Sequence, residues 1–118
     1  MKFRFTYLFI ILIFSFSYAK SGKRIFLDNG CGSCHKETIS TIGPSVEQIA
    51  KAYNGNIKRM KLFLLGKAKP ILDNDSQHLM AKFLKYTRKL SEKELDALAR
   101  YLTTIPENKF EPFKKNND

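Results

Sequence analysis

Cys31-Gly32-Ser33-Cys34-His35 contains both cysteines of the chain and one of its two histidines. On a helical turn, positions three and four apart share a face, so Cys34 and His35 both turn toward the face that carries Cys31. Two thiols followed at once by an imidazole form the attachment pattern of a c-type haem. The thiols add to the two vinyl groups of one porphyrin while the imidazole reaches its iron. Gly32 and Ser33 are small, and a glycine brings no side chain to clash with an approaching ring edge. A thioredoxin-like redox pair expects a βαβ pattern around the cysteines, and none is visible. A structural zinc site needs four ligands, yet beyond these three only His78 remains.

Upstream, Met1-Lys2-Phe3-Arg4 is a basic start, residues 5–16 are almost wholly apolar, and Ser17-Tyr18-Ala19 ends in a small residue. This is the pattern of a secretory signal. Its apolar centre is shorter than the roughly 20 residues a bilayer-spanning helix requires. Cleavage after Ala19 is therefore expected, making 1–19 a signal peptide and the destination periplasmic, with a retained membrane anchor the weaker reading. The chain has 118 residues and a formal charge of +10; loss of the first 19, with Lys2 and Arg4, leaves 99 residues at +8. That length suits one small domain, and small domains commonly add a cofactor, metal or disulfide to a modest core. The basic charge could suggest nucleic acid, but no recognised binding motif accompanies it and export argues against it.

No Val/Ile/Thr run alternates long enough to read as a strand, and no repeat or low-complexity block occurs, so the chain reads as all-α. Ser21 caps a short helix over residues 22–29 with Ile25 and Phe26 inward, and Asn29-Gly30 ends it. Residues 38–44 form a loop closed by Gly43-Pro44. Ser45 then caps a helix with Val46, Ile49, Ala50 and Tyr53 at helical spacing. After Asn54-Gly55, Ile57, Met60, Phe63 and Leu64 repeat the pattern, and Gly66 stands where a left-handed helix end wants glycine. Residues 67–79 read as an irregular functional loop that delivers Met80. The clearest helix opens with Ser91-Glu92-Lys93-Glu94 as a capping box, carries Leu95, Leu98, Ala99 and Leu102, and stops at Pro106. The domain is thus expected over 20–106, with 107–118 a loose basic tail.

In order along the chain, several features resemble class I cytochromes c, in particular the small bacterial cytochrome c-553 type. They are Gly22-Lys23-Arg24-Ile25-Phe26, the cysteine pentapeptide, Ile42-Gly43-Pro44, Leu79-Met80 and Leu98-Ala99-Arg100-Tyr101-Leu102. The resemblance implies a small helical domain wrapped around one covalent haem, with the first and last helices crossing so that Gly22 and Phe26 meet Leu98 and Tyr101. It also implies that the Pro44 carbonyl accepts the Nδ1 proton of His35, leaving Nε2 for iron. The family commonly has a proline shortly after its ligand methionine, whereas Met80 is followed by Ala81-Lys82-Phe83.

Two methionines outside the signal compete for the sixth iron position. Met60 lies among Ile57, Phe63 and Leu64 on an apolar helical face, where methionine fills core space. Met80 follows the long irregular stretch and is the preferred ligand. His78 is the rival, and two imidazoles would give a lower potential than a His/Met pair. The expected haem residues are therefore Cys31, Cys34, His35, Pro44 and Met80, with His35 and Met80 on the iron. With both axial positions filled the chain reads as a single-electron carrier and not an enzyme. The alternative is an open or bis-His iron serving peroxidase or gas-binding chemistry. A basic surface would steer the carrier to redox proteins with acidic docking faces, such as a membrane quinol-oxidising complex, a terminal oxidase or a peroxidase. Association with a membrane surface is compatible with the same charge.

Overall fold

Residues 20–72 and 77–104 are described in the computed structural model, and within them the chain forms five α-helices and one 3-10 turn, with no strand. The expected signal peptide, Pro106 and the tail lie outside the described residues. None of the described helices is long and apolar enough to cross a membrane.

Helix α1 (Gly22–Asp28) starts where the Ser21 hydroxyl accepts the Arg24 N–H at 3.2 Å. Ile25 and Phe26 are its buried residues, and the Asn29 side chain closes it by donating to the Ile25 carbonyl at 2.8 Å. A 3-10 turn (Cys31–Ser33) follows directly. Helix α2 (Val46–Tyr53) opens with a reciprocal capping box between Ser45 and Gln48, which satisfies two backbone N–H groups that have no partner inside the helix. Helix α3 (Ile57–Leu64) is capped by Asn56. It ends in a Schellman arrangement: Lys67 N–H reaches the Leu62 carbonyl and Gly66 N–H the Phe63 carbonyl, both at 2.8 Å, with Gly66 at φ 72°.

Residues 67–79 are not irregular throughout, because helix α4 (Gln77–Thr87) begins before Met80 and contains it. Two facts explain the difference. Met80, Leu84 and Thr87 recur at helical spacing, and the absence of a proline after Met80 removes the one residue that would have stopped the ladder. Helix α5 (Glu92–Thr103) opens with the expected Ser91/Glu94 capping box and buries Leu95, Leu98, Ala99 and Leu102.

Helices α1, α2 and α3 all pack against α5. At the α1–α5 crossing, a Cβ on Gly22 would fall on the Ala97 carbonyl and lie 2.7 Å from Tyr101 Cβ, so only glycine permits this approach. The Phe26 and Tyr101 rings meet edge to face at 5.4 Å. Gly22 thus faces Ala97 and Tyr101, while Leu98, fully buried, lies in the core beneath with Phe26, Ile49, Met60 and Leu64. On the surface, Lys61 links α3 to α5 through Glu92 at 2.7 Å, and Asp96 pairs with Arg100 at the same distance. Exposed pairs of this kind add little. Helix α4 is fastened at its C-terminal end: the buried Thr87 hydroxyl donates to the Leu64 carbonyl at 2.6 Å, and Arg88 Nε to the Leu65 carbonyl at 3.2 Å.

Candidate functional site

The turn after α1 folds both downstream residues back on Cys31. Cys34 N–H and His35 N–H both donate to the Cys31 carbonyl, at 3.3 and 3.0 Å. One carbonyl thereby serves a 3-10 bond and an α-type bond, the arrangement that turns Cys31, Cys34 and His35 to one side. Burial raises the Cys31 thiol above its ordinary value, outweighing a backbone hydrogen bond, and the nearby Cys34 adds to the rise. A reactive dithiol needs the opposite shift, toward thiolate.

His35 is oriented by the loop that follows. Its Nδ1 lies 2.7 Å from the Pro44 carbonyl. A carbonyl oxygen can only accept, so the proton is on Nδ1 and the Nε2 lone pair is left for a metal. Gly43 lies against the ring: a Cβ there would stand 2.7 Å from His35 Cε1 and 2.9 Å from Nδ1. The same loop is tied to the motif by Gly43 N–H and the Thr41 hydroxyl, which both donate to the Cys34 carbonyl, at 3.0 and 3.2 Å. Beyond it, Val46 N–H donates to the Lys36 carbonyl at 2.8 Å, fixing the start of α2 beside the motif.

These residues open onto a cavity of about 310 Å³. Its inner wall is the apolar core, with Phe26, Ile49, Tyr53, Leu64, Leu98 and Leu102. Cys31, Cys34, His35 and Pro44 line it, and so does Met80. All five residues expected from the sequence are therefore brought to one cavity. Met80 reaches it because Gln77, Met80, Ala81 and Leu84 form one stripe of α4, each lining the cavity, and Arg88 just past the helix end lines it as well. His78 is exposed and is not among the lining residues, since two positions along a helix rotate a side chain by about 200°. Met60 is buried in the core as expected, and its side chain also borders the cavity.

Among the lining residues that sequence reasoning did not assign to the site are Gly43, Tyr53 and Arg88. Gly43 is legible in the sequence as a loop residue and as part of the Ile42-Gly43-Pro44 resemblance, but not as a contact of the imidazole. Tyr53, whose hydroxyl is raised above its ordinary value chiefly by burial, accepts a 3.4 Å hydrogen bond from Ile71 N–H. Its helical spacing marked it as core but not as cavity wall. Arg88 is the third; recognising the α4 period would have aligned it with Met80. The cavity fits a large, mostly apolar ring: its wall is largely hydrocarbon, and Cys31, Cys34, His35 and Met80 all line it. The family model for cytochrome c matches residues 19–106.

The chain belongs to the cytochrome c family. Like the family, this cytochrome binds covalent haem c with its iron and works in haem-based electron transfer. Its five helices, without a described strand, are consistent with that all-α fold. No curated protein matches the chain.

Proposed function

We propose that the protein is a periplasmic single-electron carrier whose haem is held by Cys31 and Cys34 and ligated by His35 and Met80. One observation carries the reading: both thiols, the Nε2-presenting His35, Pro44 and Met80 line a single, largely apolar cavity. The bound haem supplies an iron that cycles between two oxidation states without making or breaking substrate bonds.

The chain's own residues set the conditions for that cycle. Cys31 and Cys34 are free thiols, the form that adds across a vinyl group to give a thioether without any change in redox state. The Pro44 carbonyl holds the imidazole in one tautomer and one orientation, so the ligand need not reorganise when the charge changes. The hydrocarbon wall excludes water, which limits solvent reorganisation and favours the less charged, reduced state. Met80 as a thioether ligand acts in the same direction.

The mouth of the cavity supports a docking role. Ile42 and Phe83 line the cavity and remain 55% and 39% exposed. Lys82 and Lys85 flank Phe83 on α4 and make no ion pair among the described residues. An apolar centre with uncompensated lysines suits a redox partner with an acidic docking face, such as a membrane quinol-oxidising complex, a terminal oxidase or a peroxidase.

The test is the absorption spectrum of protein matured in a periplasm, compared with Met80→Ala and His78→Ala. Met80→Ala is expected to lose the iron–sulfur charge-transfer band and to bind added imidazole rapidly, while His78→Ala keeps the parent spectrum. An unchanged Met80→Ala spectrum overturns the ligand assignment.

A further inference from the structure

The Cys34 carbonyl belongs to the peptide bond that leads into His35. It accepts two hydrogen bonds from one loop, Gly43 N–H at 3.0 Å and the Thr41 hydroxyl at 3.2 Å. A carbonyl oxygen has two lone pairs, and here both are used. Thr41 also holds the other side of Gly43: its own N–H donates to the Gly43 carbonyl at 3.1 Å, and the Ser40 hydroxyl reaches the same carbonyl at 3.3 Å. The two peptide groups that flank Gly43 are therefore both tied, one to the backbone of the haem motif and one to residues 40 and 41.

The simplest account of the Thr41 hydroxyl is closure of the loop. The loop is already closed without it, by Gly43 N–H on the Cys34 carbonyl, by Thr41 N–H on the Gly43 carbonyl, and by the antiparallel bridge between His35 and Ser40. Thr41 is exposed, so water could serve its hydroxyl equally well. What the bond to Cys34 adds is a second hold between the loop and the segment that carries the imidazole. Gly43 lies so close to the ring that a Cβ there would stand 2.7 Å from Cε1 and 2.9 Å from Nδ1. The next carbonyl along, that of Pro44, is the acceptor 2.7 Å from Nδ1. Movement of Gly43 relative to the Cys34–His35 peptide thus changes both the tilt of the ring and the length of that bond.

We propose that Thr41 is a positioning residue for the axial histidine: from the loop surface, its hydroxyl keeps the Pro44 carbonyl at short range from Nδ1 and so tunes the donation of His35 to iron. This rests on the haem reading above, in which Nε2 binds the iron. A short Nδ1–H···O bond makes the imidazole a more basic ligand, which favours oxidised iron. Loss of the Thr41 hydroxyl lengthens the bond, weakens the ligand and raises the reduction potential.

The test compares purified, haem-loaded wild type, Thr41→Val and Thr41→Ser. Valine keeps the branched shape and loses the hydroxyl, whereas serine keeps the hydroxyl and loses the methyl group. Two readings are taken: the potential from equilibrium redox titration at pH 7, and the proton resonance of His35 Nδ1–H in the reduced, diamagnetic protein. Thr41→Val should raise the potential by about a twofold or greater change in the redox equilibrium constant. Its Nδ1–H resonance should move upfield, as a lengthened hydrogen bond requires. Thr41→Ser should lie nearer to the wild type than Thr41→Val in both readings. The proposal is overturned if Thr41→Val leaves either reading at the wild-type value or lowers the potential. It is overturned as well if serine displaces the readings as far as valine, since the effect would then come from packing of the loop. Absence of covalent haem in the wild type would instead overturn the functional reading, and is visible in the absorption spectrum before either measurement.

Discussion

Replacing Gly22 by alanine adds one methyl group at the point where α1 and α5 come closest. The new Cβ would fall on the Ala97 carbonyl and 2.7 Å from Tyr101 Cβ. Neither is the end of a flexible side chain, so no change of rotamer relieves the overlap and the helices must separate. Overpacking of this kind costs about 1–3 kcal/mol. Separation also weakens the Phe26–Tyr101 edge contact, a pair type worth about 0.5–1.5 kcal/mol beyond its buried area. Alanine's helix preference over glycine, at most about 1 kcal/mol, opposes this and is smaller at the first position of a helix. A net loss of about 1–3 kcal/mol follows, equivalent to roughly 4–20 °C in Tm for a domain of this size. Thermal unfolding of the haem-loaded protein, followed by far-UV circular dichroism at pH 7, measures it. Adding Ala97→Gly should not restore stability, because the clash is with a carbonyl. A Tm equal to or above that of the parent would refute the claim that this crossing is closed to a side chain.

Gly43→Ala places a methyl 2.7 Å from His35 Cε1, so the imidazole must move and its bond to Pro44 must lengthen; a shifted reduction potential and a loss of about 1–3 kcal/mol are expected from redox and denaturant titrations. Thr87→Val removes the 2.6 Å hydrogen bond to the Leu64 carbonyl at nearly constant volume, at a loss of about 1–3 kcal/mol. Amide exchange in α4 should then quicken more than in α5; equal quickening would mean that Thr87 is not the fastening of α4. The Glu94 carboxyl is held below its ordinary value chiefly by the Ser91 backbone N–H, and Asp96 by its hydrogen bond to Arg100. Folded values below the unfolded ones give stability that is present above about pH 4 and is lost as pH falls through the folded values. Glu94→Gln keeps the cap but removes one titration, so its stability should decline less steeply into acid than the parent's. Electron transfer with an acidic partner should slow as ionic strength rises, and a rate indifferent to salt would remove the docking argument.

The pentapeptide, the caps and the core positions were legible in the sequence because each depends on neighbours within a turn or two. Ser21, Ser45 and Ser91 bond to backbone N–H groups three residues on, and Ile25, Ile49, Leu95 and Leu98 keep helical spacing. Spacing alone also turns Cys31, Cys34 and His35 to one side. Helix α4 escaped because the polar residues before it suggested a loop, and its apolar period is short and lies among lysines. What only the tertiary structure decided depends on segments far apart in the chain. It brought Met80 to the cavity of His35 while leaving His78 outside, placed Gly43 against the imidazole, and set Arg88, just past the end of α4, beside Gly66 after the end of α3. Local sequence sets which way a side chain points from its own helix. Where α1, α2 and α3 lie is set by packing against α5, and where α4 lies by the bonds of Thr87 and Arg88 to the end of α3, which no local pattern encodes.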